Sequence, residues 1–208
     1  MISTVLKNED LVILESTVPP GTCQKIIKNR LDEEFGGKYF LAHSPERAMP
    51  GRTLYEIINN DRIIGGYTPK ACEKAKSIYE NFIKGEISLT TTRTAEVVKL
   101  IENTYRDVNI ALANEFAIIA ENSDVNVWDA ITLANKHPRV EIHKPGPGVG
   151  GHCISIDPWF LSSTTQGSWM INLAREINDS MPNFDLNYIR DMVKGIKNPN
   201  ITILGVCL

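Results

Sequence analysis

The chain has 208 residues with 22 basic and 25 acidic side chains, so its formal net charge is −3 with neutral histidines. This balance gives no reason to expect nucleic acid or an anionic membrane surface as a partner. The content of 42% hydrophobic and 23% charged residues is ordinary for a water-soluble globular protein, and no apolar run approaches the roughly 20 residues that span a bilayer.

The cysteines bear on the cellular compartment. Cys23, Cys72, Cys153 and Cys207 are widely spaced and include no C-x-x-C pair, which fits reduced thiols better than a disulfide framework. The first residues also lack the apolar core of a signal peptide. We therefore expect a cytoplasmic protein.

The first 92 residues alternate short apolar runs with helical segments. Continuous apolar runs of this length predict strands that are buried in a parallel sheet. The alternation is typical of a doubly wound α/β sheet, which binds ligands at the carboxyl ends of its strands, and residues 43–47 follow the second strand at that end. The predicted strands are 11–15, 38–42, 62–65 and 87–90, with one helix ending near residue 35 and another over 69–82.

Residues 93–122 predict one long helix. At ~1.5 Å per residue this helix extends about 45 Å, a length that suits a connecting spine or a dimer interface. Lys99 and Asn103 lie one turn apart on another face, and a simply solvated lysine is the alternative to a functional one. Apolar side chains recur at helical spacing at Val97, Ile101, Tyr105, Val108, Leu112, Phe116 and Ile119.

The remaining elements are three helices and one strand. The helices are predicted over 126–136, 168–178 and 185–197, the first with Asp124 or Asn126 as its N-cap. A strand is predicted over 201–206, which leaves too little sequence for a domain of its own. Because the first seven residues also resemble the tail of a helix, we expect a chain that is truncated at both ends.

A loop rich in glycine and proline surrounds a single thiol. Residues 144–158, K-P-G-P-G-V-G-G-H-C-I-S-I-D-P, disfavour a regular helix and allow the backbone to approach a ligand. The residues alone leave two interpretations open. One is a nucleophilic Cys153 with Asp157 as a helper carboxylate, and the other is a turn with a buried, inert thiol. A metal site of His143, His152 and Cys153 is disfavoured because no fourth ligand stands at a familiar spacing.

Five long motifs occur in order along the chain, and with them it resembles the UDP-glucose/GDP-mannose dehydrogenase family over nearly its whole length. The resemblance implies the back half of a Rossmann-like NAD-binding domain in residues 1–92. It implies a central helical and dimerisation domain with the catalytic cysteine loop in 93–197, and the first strand of a UDP-binding domain in 198–208. The motifs are S-T-V-P-P-G-T (16–22), S-P-E-R-A-M-P-G-R-T-L (44–54), N-D-R-I-I-G-G (60–66), T-A-E-V-V-K-L-I-E-N-T (94–104) and H-P-R-V-E-I-H-K-P-G-P-G-V-G-G-H-C-I-S-I-D-P-W-F (137–160).

The resemblance implies a four-electron oxidation of a sugar C6 alcohol to a carboxylate with two molecules of NAD. Cys153 would add to the intermediate aldehyde, and oxidation of the resulting thiohemiacetal would leave a thioester for water to cleave. Lys99 and Asn103 would stabilise the oxyanion, and Asp157 would orient water or the lysine. Glu46 would be the general base for hydrolysis of the thioester.

The same resemblance assigns the binding residues. Thr17 would position water and the edge of the cofactor, so that Thr17 and Glu46 form part of the NAD site. Arg139 would reach the substrate site of a neighbouring subunit, which implies a homodimer through the long helix 93–122. The family pattern includes no metal. The residues expected to contact the sugar nucleotide are Arg139, Arg47, Gly150 and His152.

One position distinguishes branches of the family. Relatives that act on glucose- and mannose-type substrates carry F-G-G-S-C-x-x-K-D, whereas this chain has V-G-G-H-C-I-S-I-D, with His152 before the thiol and Ile156 in place of the lysine. The latter form resembles the branch that acts on UDP-N-acetylhexosamines. Within that branch the resemblance as a whole is to enzymes of the N-acetyl-D-mannosamine sugar, with the N-acetylglucosamine epimer as the alternative, and no charge or sequence pattern separates the two epimers.

Two departures from the family bear on activity. No G-x-G-x-x-G phosphate loop follows a predicted strand in these 208 residues, and only residues 198–208 represent the UDP-binding domain. We therefore expect catalysis from a full-length parent and none from this chain alone. The alternative is a non-enzymatic product that serves only as a helical dimerisation module.

Overall fold

The computed structural model describes residues 2–164 and 166–204. The chain forms two compact units, Met1–Ile101 and Glu102–Leu208. A helix that belongs in part to each unit contains the boundary between them. Cys207 and the last part of the predicted strand over 201–206 lie outside the described residues, and residues 201–204 carry no strand.

The first unit is an α/β sheet, as the alternating pattern predicts. Its four strands lie in the order β1-β2-β3-β4. Helix α2 was not predicted, since seven residues are too few to show a helical period. The strands are β1 (Asp10–Leu14), β2 (Tyr39–His43), β3 (Arg62–Gly66) and β4 (Ile87–Thr91), and the helices are α1 (Asn29–Glu34, after a π-helical Cys23–Lys28), α2 (Thr53–Asn59) and α3 (Pro69–Tyr79).

Both faces of the sheet are covered. Successive side chains of a strand point to opposite faces, and in β1 they join two different cores. Leu11 and Ile13 pack against a cluster that includes Ala75 and Tyr79 of α3. Val12 packs on the other face in a cluster with Cys23, Leu31 and Leu41. This double covering confirms the doubly wound character of the sheet.

One strand pair departs from the expected parallel sheet. β1–β2 and β3–β4 are parallel, but β2 and β3 are antiparallel and pair Ala42 with Gly66 and His43 with Gly65. A short apolar run indicates burial on both faces and carries no information about strand direction. Continued past β2, the same register places Glu46 opposite Arg62, so Arg62 lies at the end of the sheet where β1 and β2 finish.

The second unit is helical. It contains α4 (Thr92–Asn122) from Glu102 onward, α5 (Val127–Ala134), α6 (Asp157–Ser162) and α7 (Trp169–Met192). Asn126 is the N-cap of α5, since its Oδ1 accepts from the Trp128 amide at 2.9 Å. Helix α6 begins inside the predicted catalytic segment and was not among the predicted helices.

Two helices predicted over 168–178 and 185–197 are one helix, α7, which runs through Pro182 and ends at Met192. Pro182 has no amide hydrogen, so the Asn178 carbonyl does not receive the hydrogen bond that it would accept in a regular helix. The helix continues because one lost hydrogen bond does not outweigh the burial of side chains such as Ala174 and Met181 in the turns before the proline.

The buried face of α4 is polar, and the predicted apolar stripe lies elsewhere on the helix. Ile101 and Tyr105 of the stripe are 52% and 62% exposed. One line of buried positions recurs at helical spacing, and four of its six side chains form hydrogen bonds. These positions are Glu96, Leu100, Asn103, Asp107, Ala111 and Asn114.

A buried ion pair joins α4 to α7 in the second unit. Nη1 of Arg175 donates to Asp107 Oδ1 at 2.6 Å, and Nδ2 of Asn178 donates to the same oxygen at 2.8 Å. The second guanidinium nitrogen of Arg175 donates to Asp179. Burial raises the pKa of Asp107, although Arg175 and Asn178 favour its ionised form. The carboxylate therefore depends on both donors.

We predict that Arg175→Met lowers the free energy of unfolding by about 3–5 kcal/mol, because it leaves a buried carboxylate without its cation. Urea denaturation followed by circular dichroism measures the change. Arg190→Met is the matched control, since Arg190 is exposed on the same helix and contacts only Asn187 among the described hydrogen bonds. Equal stability of the two variants would contradict the structural role of the pair.

Candidate active site

The cysteine loop is anchored by side chains of α4 and by the backbone of α7. The Gly146 amide donates to Asn114 Oδ1 at 2.8 Å, and Asn114 Nδ2 donates to Asn178 Oδ1 at 2.8 Å. Gly148 has φ +106°, and a Cβ there would lie 2.6 Å from the Asn178 carbonyl oxygen. Only glycine fits this position, so the loop has one register against the helix.

Cys153 lies at the end of this loop with its side chain exposed. Its carbonyl accepts from the amides of Ile156 at 3.0 Å and Asp157 at 2.8 Å, and this turn starts α6 at Asp157. The cysteine is therefore not buried, in contrast to the second interpretation of the loop. The turn also places Asp157 close to the backbone of the thiol residue, through the hydrogen bond from the Asp157 amide to the Cys153 carbonyl.

Asp157 and Asn103 meet in the second unit, as the predicted site requires. Asp157 is 4% exposed and Asn103 is 5% exposed, and Asn103 Nδ2 donates to Asp157 Oδ2 at 2.6 Å. Both side chains are thus held rigidly near the turn of Cys153. Lys99 is half-buried and belongs to the first unit.

Glu46 stands at the carboxyl end of β2. Its amide donates to the Glu15 carbonyl at 3.1 Å, and its Oε1 accepts from the amides of Arg47 and Ala48, each at 2.7 Å. Partial burial opposes ionisation, but these amides and the guanidinium of Arg62 outweigh it and hold the pKa of Glu46 below its ordinary value. Glu46 is therefore a carboxylate at neutral pH.

The other predicted residues divide between the two units. Thr17 is half-buried and follows Glu15 by two residues at the same end of the sheet, and Arg47 donates to the Asp61 carbonyl at 3.1 Å. In the second unit, Arg139, Gly150 and His152 are exposed on segments without regular structure.

Asn135 closes the segment that presents Arg139. Its Nδ2 donates to the Ile142 carbonyl at 3.0 Å, and its Oδ1 accepts from the Ile142 amide at 2.7 Å. The Asn135 side chain thus bonds both the amide and the carbonyl of Ile142, as the backbone of a neighbouring strand would. It thereby fixes the two ends of the segment 135–142. Sequence reasoning missed Asn135 because an asparagine at a helix end has many other roles.

Sequence reasoning also missed Arg62 and Glu96, for which a signal existed. Each is a charged residue inside an apolar segment, and such residues are buried only with partners. Glu96 is 1% exposed and accepts from the amides of Gly21 at 2.5 Å and Cys23 at 2.7 Å. It holds the segment between β1 and the following π-helical turn. Across residues 2–164 and 166–204, no group of three His, Cys, Asp or Glu side chains is placed to hold a metal ion.

Comparison with known proteins shows which dehydrogenases share this sheet and cysteine loop. Residues 1–83 match the model of the UDP-glucose/GDP-mannose dehydrogenase family, NAD binding domain, and residues 93–180 match the model of the central domain of the same family. The chain belongs to the UDP-glucose/GDP-mannose dehydrogenase family, as its motifs predicted. The match to the NAD-binding domain confirms NAD as the cofactor of the family.

Individual relatives are more specific. The chain is 57% identical over 193 residues to the UDP-N-acetyl-D-mannosamine dehydrogenase of Methanocaldococcus jannaschii, covering 93% of this chain and 44% of that protein. It is 45% identical to an NDP-N-acetyl-D-galactosaminuronic acid dehydrogenase of Ralstonia nicotianae, covering 99% and 51%. The solved UDP-D-ManNAc dehydrogenase of Pyrococcus horikoshii superimposes with a TM-score of 0.89 at 48% identity, covering 93% of this chain and 47% of that one. The chain thus spans about half the length of the curated relatives it matches.

The helices of the described residues were also compared with the requirements of a bilayer. Within residues 2–164 and 166–204, none has both the length and the apolar character that a membrane crossing needs.

We predict that iodoacetamide alkylates Cys153 faster than Cys23 or Cys72 in the folded protein. Cys153 is exposed while the other two thiols are buried. Burial and the neighbouring Glu96 raise the pKa of Cys23 and suppress its thiolate. Mass spectrometry of tryptic peptides after short labelling times measures the rates. The same labelling in urea is the control and should remove the difference. Equal native rates at the three cysteines would contradict the structure of the loop.

Proposed function

We propose that this chain acts within an NAD-dependent enzyme that oxidises the C6 alcohol of UDP-N-acetyl-D-mannosamine to UDP-N-acetyl-D-mannosaminuronate. The observation that carries the proposal is the exposed Cys153 on a rigid turn above the bonded pair of Asn103 and Asp157. The relatives named above for this oxidation support it, and so does their coverage of nearly the whole chain.

The residues present fit part of an NAD site. A doubly wound sheet binds its ligand at the carboxyl ends of the strands, and Thr17 and Glu46 stand there after β1 and β2. NAD, when bound, accepts a hydride in each of the two oxidations. Thr17 and Glu46 would face its reactive end, while no strand of the described sheet is followed by a G-x-G-x-x-G loop for the pyrophosphate.

The thiol explains how an alcohol becomes an acid. The first oxidation yields an aldehyde, which loses no second hydride readily until a nucleophile adds to its carbonyl carbon. The sulfur of Cys153 forms that bond and gives a thiohemiacetal, whose oxidation leaves a thioester. Lys99 and Asn103 stabilise the negative oxygen, and Asp157 holds the Asn103 amide and orients water or the lysine.

Hydrolysis of the thioester needs a base. Water attacks the thioester carbon, its proton passes to Glu46, and the sulfur of Cys153 leaves as a thiolate. The depressed pKa of Glu46 keeps this residue ionised at neutral pH, so it is ready to accept the proton without prior deprotonation.

The substrate is proposed to contact Arg47, Arg139, Gly150 and His152. The motif around His152 and Ile156 favours a UDP-N-acetylhexosamine, and the relatives include enzymes named for two different sugars. UDP-N-acetylglucosamine remains the alternative substrate. A uronate of this kind suits polysaccharide biosynthesis in the cytoplasm. We retain the domain boundaries 1–92, 93–197 and 198–208 as part of the proposal.

A homodimer through α4 is part of the same proposal. The helix exposes Leu112 and Ile119 by 43% and 54%, and a contiguous exposed apolar surface marks an interaction site. Nearby, Phe116, Val127 and Ile142 line an apolar cavity of about 340 Å³. If this surface alone were functional, the chain would be the dimerisation module considered above.

Two variants of an enzyme of the relatives' length that contains these residues test the covalent mechanism. Cys153→Ala should block the second oxidation, because no thiohemiacetal forms. Glu46→Gln should stall after both oxidations with a thioester on Cys153. Intact-mass spectrometry after one turnover should therefore detect a sugar-nucleotide adduct with Glu46→Gln and none with Cys153→Ala.

The control for the charge change is Glu33→Gln, since Glu33 is exposed on α1 and should leave turnover intact. The mechanism is wrong if neither active-site variant carries an adduct and rapid-quench samples of the unmodified enzyme contain none.

We predict that Leu112→Glu or Ile119→Glu disrupts the dimer. Burying an unpaired carboxylate in an interface costs several kcal/mol, so the dissociation constant should rise by about a hundredfold or more. Sedimentation equilibrium measures the change. Leu54→Glu is the control, since Leu54 is 78% exposed and belongs to α2, which is not part of the proposed interface. An unchanged dissociation constant in both α4 variants would exclude this helix face as the interface.

A further inference from the structure

Arg62 is the first residue of β3 and is 6% exposed. The antiparallel pairing of β2 and β3 places it at the end of the sheet that carries Glu15 and Glu46. In a wholly parallel sheet, the first residue of a strand would lie at the opposite edge. The position of Arg62 is therefore a direct consequence of the one reversed pairing.

All three guanidinium nitrogens of Arg62 donate hydrogen bonds at this end of the sheet. Nε donates to Ser44 Oγ at 2.9 Å, Nη1 to Glu46 Oε2 at 3.2 Å, and Nη2 to Glu15 Oε1 at 2.9 Å. The group also stacks on the ring of Tyr79 at 4.4 Å, whose hydroxyl donates to Glu15 Oε1 at 2.5 Å. The cation is thus fixed in position and plane.

The two carboxylates are in a different situation. The side chains of Glu15 and Glu46 are 54% and 40% exposed, and exposed glutamates ordinarily sample several rotamers. Here both carboxylate oxygens of Glu46 accept hydrogen bonds: Oε2 from Arg62, and Oε1 from the amides of Arg47 and Ala48. A planar guanidinium can hold two carboxylates at once, and a lysine ammonium has no such fork.

We infer that Arg62 is a positioning residue, which fixes the orientation of the Glu46 carboxylate at the reaction edge of the sheet. Its effect on catalysis rests on the proposed function, in which Glu46 accepts the proton of the hydrolytic water. The contact itself is independent of that function. A purely structural Arg62 would stabilise the sheet and leave the properties of Glu46 unchanged.

The first experiment measures Glu46 in this chain by a carbon-13 NMR titration of its side-chain carboxyl. The charged and titratable groups bonded to this edge are Arg62, Glu15 and Tyr79, and Arg47 is adjacent to Glu46. Arg62→Met should raise the pKa of Glu46, because one group that favours the carboxylate is gone. Tyr79→Phe is the matched control. It removes the hydroxyl that donates to Glu15 and accepts weakly from Arg62 Nη2 at 3.5 Å. It leaves the ring under the guanidinium and the Nη1 contact with Glu46, so the pKa of Glu46 should not change.

Arg62→Lys serves if Arg62→Met does not fold, which circular dichroism detects. The lysine keeps the charge but cannot bond Ser44, Glu15 and Glu46 together, so the pKa of Glu46 should rise here also. An unchanged pKa of Glu46 in every folded Arg62 variant would overturn the inference.

The second experiment uses the enzyme of the relatives' length and follows decay of the thioester by rapid quench. A positioned base contributes roughly 10²- to 10⁴-fold, and Arg62 acts through it, so Arg62→Lys should slow hydrolysis by about ten- to a hundredfold. The rate of the first oxidation should stay the same. If Glu46→Gln slows hydrolysis and Arg62→Lys does not, the inference fails. If Glu46→Gln itself leaves hydrolysis intact, the proposed role of Glu46 fails, and the titration alone decides whether Arg62 positions it.

Discussion

The constraint on which the structure most depends is the burial of polar side chains along one face of α4. An amide or carboxylate that is buried without a partner costs more than the hydrogen bond it would form. Each buried carboxylate or amide side chain of this face therefore demands particular partners at one height along the helix. In the first unit Glu96 selects the amides of Gly21 and Cys23. In the second, Asn103 selects Asp157, and Asn114 selects the Gly146 amide and Asn178. An apolar face would remain buried if the helix shifted along its axis by one turn, whereas this face would lose its hydrogen bonds.

That constraint also explains what the sequence could and could not predict. Apolar residues recurring every three or four positions are typical of a helix, and residues 93–122 are indeed helical from Thr92 to Asn122. The same pattern misleads about which face of the helix is buried. The periodicity is read from apolar side chains alone, whereas polar side chains with hydrogen-bond partners can also be buried. Asn103 and Asp107 are buried more deeply than Ile101 or Tyr105. Their partners lie more than fifty residues away, so local patterns could not reveal them.

The sheet shows a similar division between local and distant information. The four apolar runs placed the strands within one or two residues, since a run that is buried on both faces is a local property. Strand direction is not local, and the reversal between β2 and β3 went unseen. Of the candidate site, the long motifs gave Glu46, Asn103, Cys153 and Asp157. They gave no reason to choose Arg62, because its importance follows from the reversed pairing that brings it opposite Glu46.

Pro182 and Gly148 show how two residues that resemble breaks in the chain act together in the fold. Pro182 lacks the amide that would bond the Asn178 carbonyl, which leaves that oxygen without its usual helical donor. Gly148 has no Cβ, and so its backbone can approach the same oxygen, where any side chain would lie within 2.6 Å of it. The side chain of Asn178 meanwhile accepts from Asn114, which holds Gly146. Asn178 of α7 thus contacts the loop both through its backbone carbonyl and through its side chain. Residue 148 is a glycine because the helix approaches its backbone closely, and that close approach fixes where the following turn presents the thiol of Cys153.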